Sequence, residues 1–104
     1  MRMILWTAVS LVIATFTQVA DASEAKAPAK EAMCQTCHGK NGASPILPNY
    51  PKLNGQNKAY LVESLKAYKN GQRTGGLTAV MTAQAAMLTE AEMNELAEYY
   101  ANQK

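Results

Sequence analysis

The chain has 104 residues, with ten Lys or Arg against eight Asp or Glu and a formal net charge of +2. That length holds one domain. The near-balance of charge, with no basic run, excludes the electrostatic footprint of a nucleic-acid binder.

Residues 1–22 read as an address rather than as fold. Arg2 gives a short positive start, residues 4–16 are mostly apolar, and Ala20-Asp21-Ala22 is a small-x-small cleavage pattern. Thr7, Ser10, Thr15, Thr17 and Gln18 dilute the apolar run below what a bilayer span requires. A signal peptide over 1–22, cleaved after Ala22, and a mature domain over 23–104 in the periplasm are expected, with no stable membrane insertion. Cleavage removes the one Trp (Trp6) and the one Phe (Phe16) and leaves five tyrosines as the aromatics. A domain of roughly 80 residues so poor in large apolar groups needs a filler or a staple.

Residues 23–30 are small and polar and lead into a short helix expected over 28–34, with Pro28 in its first turn. Residues 39–55 carry Gly39, Gly42 and Gly55 with Pro45, Pro48 and Pro51, and read as a loop. A second helix fits 57–70: Leu61, Leu65 and Tyr68 recur at i, i+4 and i+7, with Tyr60 beside the stripe. Lys66 and Lys69 suit its last turn, and Gly71 suits its stop. Residues 71–80, with Gly71, Gly75 and Gly76, read as another loop. The last helix is capped by Thr89, with Glu92 completing a capping box and Leu88 and Met93 forming a hydrophobic staple. Met93, Leu96, Ala97 and Tyr100 make its apolar stripe. No stretch alternates as a strand does, so the class is all-α.

The chemistry lies in Cys34-Gln35-Thr36-Cys37-His38, the Cys-x-x-Cys-His spacing of covalent haem attachment. On a turn of helix, i and i+3 share a face. Two thiols so placed can each add to one vinyl group of a porphyrin, and the next residue then offers an imidazole nitrogen to the iron. A dithiol redox pair calls for a βαβ setting that the chain lacks. A zinc site calls for about four ligands, and two Cys with the only His give three. His38 being the sole histidine also excludes a bis-histidine iron within one chain. The sixth ligand is then Met, Lys, Tyr, water or nothing, and Met is the common partner of His in electron carriers. Met33 abuts Cys34, and Met93 belongs to the staple. Met81 and Met87 remain.

Cys34-Gln-Thr-Cys-His38-Gly39, Pro48-Asn-Tyr-Pro-Lys-Leu53-x-Gly55-Gln56, Leu88-Thr-Glu-Ala-Glu-Met93 and Leu96-Ala-Glu-Tyr-Tyr100 together resemble the class I cytochromes c. The likeness is to their short bacterial periplasmic branch, including the repeat units of dihaem cytochromes. It implies three main helices plus loops wrapped around one covalently bound haem c, with Cys34 and Cys37 as its thioether residues. It also implies His38 and Met81 as iron ligands, since the family's Met precedes the position of Leu88 by seven residues; Met87 is the fallback. The resemblance further implies that the Pro48 carbonyl accepts from His38 Nδ1 and that Leu53 and Tyr60 pack on the porphyrin. The family's Gly at the crossing of first and last helices is absent, and Ala29 is its expected stand-in.

The implied function is a single-electron carrier rather than an enzyme, meeting donor and acceptor proteins briefly over an interface below roughly 1,200 Å². Two alternatives have the same motif. One is a haem c subunit of a larger periplasmic dehydrogenase, and the other is a haem sensor or enzyme with a displaceable sixth ligand.

Overall fold

The computed structural model describes residues 10–15 and 26–104. The expected cleavage pattern at 20–22 lies outside the described residues. Among the described residues four α-helices and one 3-10 turn follow in order: α1 (Glu31–His38), the 3-10 turn (Lys40–Gly42), α2 (Lys58–Lys69), α3 (Thr78–Ala86) and α4 (Glu90–Ala101). Among the described residues there is no strand.

α1 begins three residues later than expected and runs through the whole Cys-x-x-Cys-His motif. Pro28 sits before it, its carbonyl accepting from Glu31 N–H at 3.0 Å. The helix stops at Gly39, whose φ of +81° favours glycine and where a Cβ would overlap the Ser44 carbonyl. The chain then reverses, and Ile46 N–H returns to the Cys37 carbonyl at 3.0 Å.

α2 matches its expectation closely. The Asn57 side chain accepts from Tyr60 N–H at 3.2 Å as its N-cap, and Gly71 follows with φ of +69°. α3 is the correction: residues expected as loop up to 80 are helical from Thr78 on. This stretch is rich in Ala, the best helix former, but has no apolar stripe to reveal it. Thr78 Oγ1 donates to the Gly75 carbonyl at 2.6 Å where the helix begins.

α4 has the capping box in full. Glu92 N–H donates to Thr89 Oγ1 at 3.1 Å, and Thr89 N–H donates to Glu92 Oε1 at 3.0 Å. The backbone bond from Thr89, chiefly, holds the Glu92 carboxyl below its ordinary range. A depressed carboxyl contributes stability above its unfolded pKa, and that contribution is lost as the pH falls through the folded value. Thr89→Ala is expected to cost about 1 kcal/mol, read as a lower denaturant midpoint at neutral pH.

The core joins Leu61 and Val62 of α2 to Leu88 and to Met93, Leu96, Ala97 and Tyr100 of α4; Met33 and Cys34 of α1 pack against it. Burying each Leu or Met contributes roughly 1.5–3 kcal/mol. α2 and α4 are further bridged by Lys66–Glu90 at 3.2 Å and Lys58–Glu98 at 3.6 Å. Such exposed pairs contribute less than about 1 kcal/mol each. The small residue beneath the last helix is Gly42, not Ala29, which is exposed. A Cβ on Gly42 would lie 2.9 Å from both Leu53 Cβ and Tyr100 Cδ1. The close approach therefore runs through the 3-10 turn rather than through the first helix.

Candidate haem site

Cys34 and Cys37 stand one helical turn apart on α1, so their side chains leave one face. His38, the last residue of α1, is 5 % exposed. All three line one mostly apolar cleft. It is also lined by Leu77, the N-cap of α3, by Val80, Met81 and Gln84 of α3 and by Tyr68 of α2. A second lobe shares His38, Pro51, Tyr68 and Met81 and adds Leu53, Tyr60 and Leu65.

His38 Nδ1 lies 2.8 Å from the Pro51 carbonyl oxygen. A carbonyl only accepts, so Nδ1 carries the proton and, in the neutral ring, Nε2 keeps its lone pair. This corrects the expectation that named Pro48. Pro48 is exposed and lines a separate groove with Pro45, Ile46 and Leu47. The loop carries a Pro at every third position from 45 to 51, and the reversal after Gly39 brings the third of them under the imidazole.

The two methionines left open by the motif fall in different settings. Met81 lines both lobes of the cleft. Met87 is the C-cap of α3, 53 % exposed, and lines neither. Met81 stands within α3, just past the stretch expected as loop.

Cys34 is half-buried, and its thiol is pushed up to about 11, first by burial and then by the neighbouring charge of Glu31. Dithiol redox motifs do the opposite and lower a thiol pKa. The donor set fits a haem: two thiols on one helical face, an imidazole with a free lone pair, and a thioether in the same apolar cleft. Lys52 and Arg73 line the second lobe and would offer positive charge to the two carboxylates that such a group carries. Arg73 is held with its guanidinium carbon 4.4 Å from the centre of the Tyr68 ring.

A family model described as Cytochrome c matches residues 22–104. The chain belongs to the cytochrome c family. This cytochrome is 44 % identical over 71 residues to cytochrome c-554(548) of Halomonas halodenitrificans, covering 68 % of this chain and 84 % of that one. It is 41 % identical over 76 residues to cytochrome c4 of Pseudomonas aeruginosa, covering 73 % of this chain but 36 % of the relative. It is 38 % identical over 85 residues to a thiosulfate dehydrogenase electron acceptor of Thiomonas intermedia, covering 82 % of this chain and 38 % of that one. The cytochrome thus spans well under half the length of the latter two.

Membership brings the cofactor: one covalently attached haem c with its iron. It also brings the function, which is electron transfer. Among the described residues no helix is long and apolar enough to cross a membrane. Two participants escaped sequence reasoning. Pro51 had no local signal that set it apart from Pro45 and Pro48. Glu31 carries no sequence signal that sets it apart from any first-turn acid, yet it is buried against Tyr100.

Proposed function

We propose that this cytochrome is a periplasmic carrier of single electrons, with one haem joined by thioethers to Cys34 and Cys37 and its iron held by His38 and Met81. The observation that supports the ligand assignment is that the Pro51-held imidazole and Met81 line the same cleft, while Met87 does not. When bound, the haem supplies the ferric–ferrous couple. The chain does the rest. Pro51 fixes the His38 ring, α3 presents a soft thioether that favours the ferrous form, and the apolar walls keep water from the iron. Were His38 and Met81 both to hold the iron, a small molecule would find no open site on it, which argues against the sensor and enzyme alternatives.

Residues 1–22 act in this reading as a cleaved signal peptide. Support comes from the residue pattern and from the family match, which begins at residue 22. N-terminal sequencing of the exported protein is expected to start at Ser23; a start at Met1 overturns it.

Partners dock briefly, over a small interface. The likeness to a thiosulfate dehydrogenase electron acceptor supports a second reading, in which the donor is a sulfur-compound dehydrogenase. Stoichiometric co-purification with such an enzyme separates a permanent subunit from a free shuttle.

The axial ligands are tested on the ferric holoprotein by its weak far-red charge-transfer band, which reports Met sulfur on the iron. The band is expected. Its absence together with tight carbon monoxide binding to the ferrous form overturns the ligand assignment.

A further inference from the structure

Acidic side chains are almost never fully buried unless paired. Glu31 is 4 % exposed. Its Oε1 accepts a 3.0 Å hydrogen bond from the hydroxyl of Tyr100, itself buried, which reaches it from α4. The adjacent Lys30 is directed elsewhere, to Glu92 at 3.9 Å. Among the described residues no Lys or Arg forms an ion pair with Glu31, and its charge helps to push up the Cys34 thiol on its own helix and the phenols of Tyr99 and Tyr100 on α4. Tyr99 is itself turned to Asn41, to which its hydroxyl donates at 3.2 Å.

Glu31 and Cys34 are three residues apart on α1 and so share a face. Burial first, and Glu31 next, pushes the Cys34 thiol up. Burial, Cys34 and then Glu31 push the Tyr100 phenol up. The Glu31 carboxyl thus stands one helical turn from the residue that carries one thioether, and its own burial leaves it little exposed to screening by water.

We propose that Glu31 is a positioning residue with an electrostatic role: a buried negative charge, anchored by Tyr100 one turn before Cys34, that biases the haem iron toward its ferric state. The inference rests on the reading that the haem is attached at Cys34. Ferric iron carries one more positive charge than ferrous iron, so a nearby fixed anion stabilises the oxidised form. The bond to Tyr100 keeps that anion in place and ties the haem-bearing helix to α4.

The test is an equilibrium redox titration of holoprotein at neutral pH, comparing the wild type with Glu31→Gln and with Glu95→Gln. Glutamine keeps the length of the side chain, and its carbonyl still accepts from Tyr100, so the helix contact persists while the charge is lost. At a fixed ambient potential the ferrous-to-ferric ratio is expected to rise roughly three- to tenfold in Glu31→Gln. In Glu95→Gln, which removes an exposed charge from α4, it is expected to change less than about twofold. If the glutamine variant yields no holoprotein, Glu31→Leu, an apolar replacement for a buried charge, takes its place with the same expected rise. An unchanged or lower ratio, with the far-red band and the unfolding midpoint as in the wild type, overturns the proposal. Absence of that band from the wild type strikes the His38–Met81 ligation instead. It leaves the Glu31 comparison readable wherever the haem is attached.

Discussion

Met81→Ala is expected to abolish the far-red band of the ferric protein, to lower the reduction potential and to let carbon monoxide bind the ferrous form tightly. Met81 lines both lobes of the cleft together with His38. Alanine leaves the helical backbone of α3 intact, since Ala is the best helix former. It removes only the sulfur. The soft thioether favours ferrous iron, so its loss shifts the couple toward ferric. The open position then accepts water or an exogenous ligand. Met87→Ala is the control. That side chain is 53 % exposed at the C-cap of α3, and its removal is expected to change neither the spectrum nor the potential. If Met87→Ala rather than Met81→Ala loses the band, the ligand assignment is reversed.

Leu96→Ala is expected to destabilise the holoprotein by roughly 2–5 kcal/mol. Leu96 is one of the three largest fully buried side chains, with Leu88 and Met93. Its cluster joins α2 to α4 and backs Met33 and Cys34 of α1. Truncation leaves a cavity where helices converge behind the haem-bearing segment, and a domain this small has little reserve. Denaturant unfolding followed by far-ultraviolet circular dichroism checks it. A midpoint within experimental error of the wild type, at an unchanged denaturant slope, contradicts the assignment of Leu96 to the core.

What the sequence made legible was local. Cys34, Cys37 and His38 identify themselves by spacing within a single turn. The Thr89–Glu92 box and the Asn57–Gly71 boundaries rest on side chains that act on their own helix. α3 was not legible, because Ala79, Ala83, Ala85 and Ala86 give helix propensity without a periodic apolar face, and the glycines before it suggested a longer loop. Pro51 was missed because three prolines recur at equal spacing in one loop. Only the reversal at Gly39 decides which carbonyl reaches His38. Glu31 was missed for a related reason. An acid in a first turn suits the helix dipole on any solvent-facing helix, and its true partner, Tyr100, lies at the far end of the chain. Contacts that depend on long-range closure leave no mark in a window of ten residues.

The central claim is that residues 34–38 hold a porphyrin iron through covalent bonds. Intact-mass spectrometry of the exported protein, made in a host that assembles c-type cytochromes, tests it most directly. The expected result is a polypeptide beginning at Ser23 and heavier than its amino acids by one haem, which Cys34→Ala/Cys37→Ala removes. A wild-type polypeptide carrying no added mass contradicts the account.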